Sequence, residues 1–352
     1  MPHSSLLLRQ KLTRLSLIAA VPLSLTFLIL WAGGWLTPQR LSADKLIVTL
    51  EQSGGKHPGY RRNHAKGVCV VGNFISSGNA SAISHAALFA QGMTTPVTGR
   101  LAIAGGNADA PDYAVPVRSM ALLFQLADGE QWRTGMNAIP FFPVATVQGF
   151  YDQQVASQPD PATGKPRPEN IKKLIDKHPE IVPFLSWLKH YVPSSSWGSD
   201  QFNSLNAFFF VDKANNKHLV RWSMVPRMPR QPITAAQRTD KQFLQEDLQQ
   251  RLASAPLRWD LIITVAGAGD PENDASKVWP ADRQTINAGT LTVTRAMPQQ
   301  QGACNDINYD PLILPDGIAA SSDPLLNARS AAYAKSYNLR TREQSEQSGH
   351  SL

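Results

Sequence analysis

The chain has 352 residues, 34 Lys+Arg against 27 Asp+Glu, 42% hydrophobic and 17% charged residues, 26 Pro, 23 Gly and two Cys. That length supports a core of ordinary density and suggests roughly two domains, and the charge content lies below the ~25% of average chains, which argues against disorder. Two cysteines exclude a disulfide scaffold or a Cys-rich metal module, and a mean hydropathy of −0.24 excludes a polytopic membrane protein.

A single span remains compatible with these values. Leu15 to Leu36 is a run of 22 residues without a charge, long enough to cross a ~30 Å hydrocarbon layer. Arg9, Lys11 and Arg14 precede it with no acidic residue, which places the N-terminus on the cytoplasmic side. Trp31 and Trp35 fall where interfacial aromatics are expected. A cleaved signal peptide would carry a shorter apolar region, ~7–15 residues, and a small-x-small site; Trp-Ala-Gly-Gly-Trp fits that poorly, so the run reads as an uncleaved anchor. The organisation expected is a basic cytoplasmic tip (1–14), a transmembrane anchor (15–36), an exported part (37–342) and a polar tail (343–352). Beyond the tip, 31 basic residues face 27 acidic ones, dispersed along the chain, and no nucleic-acid partner is indicated. In a bacterium the exported part would lie on the periplasmic side of the inner membrane, in an oxidising space.

Residues 43–52 read as a short helix, followed by the turn-rich Ser53 to Gly59. Val68–Ile75 is strand-like, Ala80–Ala90 has helical composition, and Val97–Ala104 is again strand-like. Arg118–Leu126, the turn Asp128-Gly129 and the stretch to Phe142 form a hairpin pattern. Helices are expected over Val147–Ser157 and Pro168–Tyr191. Asn206–Val211 and His218–Val225 pair around Lys213-Ala214-Asn215-Asn216, Ala235–Ala255 is an amphipathic helix, and Leu261–Val265 and Thr290–Thr294 are strands. Asp323-Pro324 starts a last helix, with the carboxylate as N-cap and Pro in the first turn; from Thr341 the chain is polar and expected to fray. No internal repeat is visible. The pattern is that of an α+β domain around an antiparallel sheet or barrel.

The sequence has no CxxCH, HExxH, GxGxxG or Walker motif. Cys69 and Cys304 can pair in an oxidising compartment, although the apolar strand around Cys69 favours a free thiol. Two clusters carry chemistry. The first, Arg61-Arg62-Asn63-His64-Ala65-Lys66-Gly67, leads straight into a strand. The second places Arg329 and Tyr333 at i,i+4 on one helix face, with Arg340 seven residues further. A guanidinium beside a phenol favours the phenolate, an anion able to ligate ferric iron.

With these clusters the sequence resembles the catalases. Their distal Arg-x-x-His-Ala-Lys-Gly segment is matched by Arg61 to Gly67, and their Thr-Pro-x-x-x-Arg strand by Thr95 to Arg100. Their Arg-(Gly/Ser)-x-Ala-x-x-Phe stretch with its following Asp-Gly is similar to Arg118–Gly129, and their Phe pair to Phe141-Phe142. Trp279-Pro280 and Gly289-Thr290-Leu291 resemble later signatures, and the proximal Arg-x-x-x-Tyr with Arg at +7 is matched by Arg329, Tyr333 and Arg340. The resemblance spans roughly residues 45–342; the length resembles that of the small catalase-related peroxidases. It implies a closed antiparallel β-barrel with surrounding helices and a non-covalent haem b. Tyr333 would be the axial ligand and Arg329 its neighbouring cation; Arg61, Arg100 and Arg340 would meet the propionates; His64 would carry a proton between the peroxide oxygens.

The departures bear on the reaction. Met136 falls at the position of the distal Asn, with Asn137 a substitute only after a one-residue slip. Ala102 replaces the Ser that bonds the distal His, and Asn63 an apolar Val. Each lost distal interaction is worth ~1–3 kcal/mol, roughly one to two decades in rate. A peroxidase acting on hydrogen peroxide or organic hydroperoxides, with an unidentified organic reductant and weak or no catalase activity, is therefore expected. The alternatives are a hydroperoxide isomerase on the same fold and a non-catalytic haem-binding or peroxide-sensing protein.

Overall fold

The computed structural model describes residues 3–33, 36 and 41–349, and the chain divides into two units at Lys45/Leu46. In the first unit, helix α1 (His3–Ala32) runs through Pro22. Its Arg9–Ala32 stretch, of mean hydropathy 2.2, is long and apolar enough to span a membrane. Trp31 is exposed on it, whereas Trp35 lies outside the described residues. Helix α2 (Ala43–Gly54) begins at the end of this unit and continues into the second, where Leu46, Ile47 and Leu50 form its buried stripe.

The second unit is built on strands β1 (Gly67–Ser76), β2 (Thr94–Ile103), β3 (Arg118–Gln125) and β4 (Gln131–Asn137). Helices α3 (Val147–Ala156), α4 (Pro168–Lys177) and α5 (Val182–His190) follow, then strands β5 (Phe202–Asn203), β6 (Phe208–Val211) and β7 (Lys217–Pro226). Helix α6 (Phe243–Ser254), strands β8 (Leu257–Val265), β9 (Thr285–Pro298) and β10 (Ile318–Ala320), and the long helix α7 (Pro324–Gly349) complete it. All pairings are antiparallel. Among the described residues, β1 to β5, β7, β8 and β9 close a ring, because β7 pairs with both β5 and β8 and β9 pairs with both β8 and β1. The expected closed barrel is present.

The barrel closes because its strands alternate. Val220, Trp222 and Met224 of β7, and Leu257, Trp259, Leu261 and Ile263 of β8, point inward and are buried. The interior is filled by aromatic rings, with Phe124 stacked on Trp132 at 4.9 Å and Trp132 edge-on to Trp222 at 5.0 Å. The interior of an eight-stranded barrel is just wide enough for side chains to fill, and these rings occupy it.

Several elements differ from the sequence pattern. Ala80–Ala90 forms two short 3-10 turns, Asn79–Ala82 and Ala87–Phe89, because Ser81 and Ser84 hydroxyls bond backbone carbonyls and Gly78 adopts φ +82°. The helix expected over Pro168–Tyr191 breaks at His178, whose non-helical backbone (φ −131°, ψ 69°) precedes Pro179. The one expected from Ala235 starts only at Phe243, where Asp112 accepts the Leu244 N–H. The polar tail does not fray at Thr341: α7 continues to Gly349, and Glu343 is buried against Arg62.

Cys69 of β1 and Cys304 are bonded rather than free, with Cα atoms 5.4 Å apart. The apolar surroundings of Cys69 enclose the bond instead of isolating a thiol. It joins positions 235 residues apart, a long loop for an unfolded chain to close. The double variant Cys69→Ala/Cys304→Ala should lose about 2–4 kcal/mol of unfolding free energy, read in guanidinium titrations, and the unreduced wild type should show no free thiol when denatured.

A candidate haem site on the outer face of the barrel

One wall of a cavity beside the barrel is the outer face of β3 and β4. On β4, Trp132, Thr134 and Met136 turn inward, so Arg133, Gly135 and Asn137 face the opposite side. The facing wall is α7, whose Leu325, Ala328, Arg329, Ala332, Tyr333, Ser336 and Arg340 recur at helical spacing along the cavity. Arg61 and His64, in the loop before β1, and Leu46, Ile47 and Leu50 of α2 complete it. The space between atoms, open mouth included, is about 1310 Å³.

Strand β4 and helix α7 meet closely. Arg329 donates to the Gly135 carbonyl at 2.9 Å and to the side-chain oxygen of Asn206, and its guanidinium lies 5.8 Å from the Tyr333 ring centre. A Cβ at Gly135 would sit 3.1 Å from the Tyr333 hydroxyl oxygen and 3.0 Å from Arg329 Nη2. A side chain at 135 would require Tyr333 or Arg329 to give by a few tenths of an ångström.

Three cations converge on the same cavity without a carboxylate in direct contact among the described residues. Arg61 donates to the carbonyls of Cys304 and Ile307, Arg340 to those of Asn305 and Ile307, and Arg100 to the Gln299 side chain and the Ala65 carbonyl. None of the three forms an ion pair among the described residues, and Arg340 Nε has no partner. Burial pushes all three below the ordinary arginine value, Arg340 to about 9 with Arg61 as a further cause. Gly67 permits the close approach of Arg100, since a Cβ there would lie 2.6 Å from its guanidinium carbon and from the Leu101 carbonyl oxygen.

His64 adopts φ +53°, a left-handed conformation uncommon for this residue. Asn63 holds it there: its side-chain oxygen accepts the His64 N–H at 2.9 Å and the Gly105 N–H at 2.8 Å. The polar residue in place of the expected Val is thus a backbone clamp. The ring opens into the cavity, and its Nδ1 lies 3.0 Å from Ser119 Oγ. Burial first, then Arg100, Arg329 and Arg61, push its pKa down to about 3, so the imidazole is neutral.

The structure therefore brings Arg61, His64, Arg100, Arg329, Tyr333 and Arg340 around one cavity. It revises the reading of Met136, which is packed into the barrel core at 1% exposure while also bordering the cavity. Asn137 takes the cavity-facing place without any slip of the hairpin, whose register pairs it with Ser119. Sequence reasoning missed Ser119, Gln299 and Asn206. The first was visible as the residue after Arg118; the other two come from segments with no motif.

The fold of this barrel and its helices is that of solved catalases. Catalase A from Saccharomyces cerevisiae superimposes with a TM-score of 0.72 over 81% of this chain and 62% of its own, at 18% identity; a bacterial catalase does so at 0.71, covering 58% of that protein. The catalase family profile matches residues 46–347, and the chain belongs to the catalase family. Among its relatives, the catalase-related peroxidase of Synechococcus elongatus is 40% identical over 304 residues, 86% of this chain and 89% of that protein. That of Mycolicibacterium paratuberculosis is 30% identical over 313 residues, 88% and 96%.

Haem is the cofactor of this family, and the cavity fits such a group on its own geometry. A dianionic ligand would supply the counter-charge that Arg61, Arg100 and Arg340 lack, and a flat apolar body would meet Leu46, Ile47, Leu50 and Phe142.

Behind this site, Arg62 bonds Glu51 and, through two nitrogens, Glu343, tying α2, the His64 loop and α7 together. Burial alone would raise Glu343, but the hydrogen bond from Arg62 outweighs it and holds the carboxyl below its ordinary 4.5. The depressed carboxylate contributes stability above its unfolded value, lost as pH falls through the folded one. Glu343→Gln should lower stability at pH 7 by about 1–3 kcal/mol and flatten the acid limb of Tm against pH below about 4.5.

Proposed function

We propose that the chain is a membrane-anchored haem b peroxidase, reducing hydrogen peroxide or organic hydroperoxides with electrons from an organic donor. The class of enzyme, an oxidoreductase acting on peroxide, follows from the family and from relatives that are catalase-related peroxidases along nearly their whole length. The observation that carries the finer reading is the convergence of a neutral His64, a Tyr333 backed by Arg329, and three unpaired guanidiniums on one cavity.

Tyr333 would bind the iron, with Arg329 as the fixed cation beside the anionic ligand. Arg61, Arg100 and Arg340 would hold the two propionates and so set the orientation of the ring. When bound, the haem supplies the electrons that break the peroxide bond, and the donor later restores them. His64 takes the proton from one peroxide oxygen and returns it to the oxygen that leaves, as water or an alcohol. A neutral imidazole is required at the first of these steps, and burial keeps it so.

The anchor reading is supported by α1, by the basic residues Arg9, Lys11 and Arg14 ahead of its apolar stretch, and by the Cys69–Cys304 bond. A disulfide suits an oxidising compartment, which supports a haem domain on the outer side of the cytoplasmic membrane. In fractionated cells the chain should sediment with membranes and be cut by protease added to spheroplasts. Recovery in the cytosol with reduced cysteines would remove this part of the proposal.

For the chemistry, Tyr333→Phe should fold but lose the spectrum of a phenolate-ligated ferric haem, and His64→Ala should slow peroxide reduction by about 10²–10⁴-fold. Because His64 stays neutral down to about pH 3, the wild-type rate should be level from pH 8 to pH 5. A histidine at its ordinary value would instead impose an acid limb near pH 6.5. Wild-type protein that binds haem but turns over no peroxide would defeat the enzymatic reading.

A further inference from the structure

The hydroxyl missing from β2 beside His64 is present one strand away. In the barrel register Ala102 of β2 lies directly opposite Ser119 of β3, and Ser119 lies directly opposite Asn137 of β4. Side chains at directly paired positions project from the same face, so the three form a row across three strands. Two observations fix which face this is. Ser119 Oγ lies 3.0 Å from His64 Nδ1, and Ser119 and Asn137 both line the cavity. Ala102, which carries no side chain beyond Cβ, leaves space for the neighbouring hydroxyl to reach the ring.

A ring nitrogen's partner decides which tautomer an imidazole adopts. We propose that Ser119 is the positioning residue for His64: its oxygen accepts a hydrogen bond from Nδ1–H, which leaves the lone pair on Nε2 available as the base. The histidine is then fixed at two points, its backbone by the Asn63 side chain and its ring by Ser119. The task assigned by resemblance to a serine at position 102 is performed here from β3, and the alanine at 102 does not represent a loss. This inference deepens the peroxidase reading and rests on His64 being its proton carrier.

The test uses the full-length, haem-loaded protein and two rates: reduction of hydrogen peroxide, and association of cyanide, a ligand that must give up a proton to bind ferric haem and reports the distal base without turnover. Ser119→Ala should keep the haem content and the Soret maximum while slowing both rates about tenfold, the size of one lost neutral hydrogen bond. It should also make the level pH profile of cyanide association slope. Ser119→Thr, which keeps the hydroxyl, should stay within about twofold of wild type by the same reasoning. Should the alanine variant fail to load haem, Ser119→Gly removes the same hydroxyl and must give the same slowing. Unchanged rates in a haem-loaded Ser119→Ala or Ser119→Gly variant overturn the inference while leaving the peroxidase reading intact. Unchanged rates in His64→Ala overturn both.

Discussion

The carboxylate of Asp323 is 1% exposed and performs two tasks at once. One oxygen accepts the Leu325 N–H at 2.9 Å and caps α7; the other accepts the Asn206 amide at 2.8 Å. Asn206 in turn accepts from Arg329, and Arg329 donates to the carbonyl of Gly135 on β4. The start of the long helix is therefore coupled, through three side chains, to the strand it crosses. Tyr333 stands one turn beyond Arg329, so its position against Gly135 is inherited from this chain of bonds. A helix cap usually stabilises one end of one element by about 1 kcal/mol; here it also sets the register of a cofactor-binding face.

The second constraint is electrostatic. Arg61, Arg100 and Arg340 are held near one another by carbonyl groups and an amide, with desolvation opposing their charge and Asp306 acting on Arg61 and Arg340 without an ion pair. The segment that supplies those carbonyls, Cys304 to Ile307, is tied to β1 by the Cys69–Cys304 bond. The fold thus spends covalent and hydrogen-bond constraint on a cluster that repels itself. Such a cluster is stable when an anion is bound, and a ligand that binds only the folded state raises its stability by mass action. Cofactor retention and domain stability are expected to be one equilibrium in this protein.

The strand order and its closure were only partly legible in the sequence. β1, β2 and the β3–β4 hairpin could be read because alternation and an Asp-Gly turn are local signals. Ala80–Ala90 and Ala235–Gln242 could not, because serine, threonine and aspartate side chains compete there for backbone groups that composition assigns to a helix. The site residues followed from two motifs far apart in the chain, which share a cavity only because α7 lies across β4. Gln299 and Asn206, which hold Arg100 and Arg329, have no local signature. The cysteine pair was misjudged for a related reason: an apolar strand says that Cys69 is buried, not what it is buried against.

The distal departures show where reading by position fails. Taken one at a time, Ala102 and Met136 remove a hydroxyl and an amide, and each removal implies a lost decade or more in rate. Adjacent strands in a sheet lie about 4.8 Å apart, so a group one strand over can reach the same ring nitrogen if the intervening side chain is small. Ser119 does so across Ala102, and Asn137, one residue past Met136, has the outward direction that Met136 lacks. The count of lost hydroxyls beside His64 is accordingly zero, and what has changed is the direction from which the hydrogen bond comes. Differences in substrate preference from larger catalases should then be sought in that direction rather than in a depleted distal side.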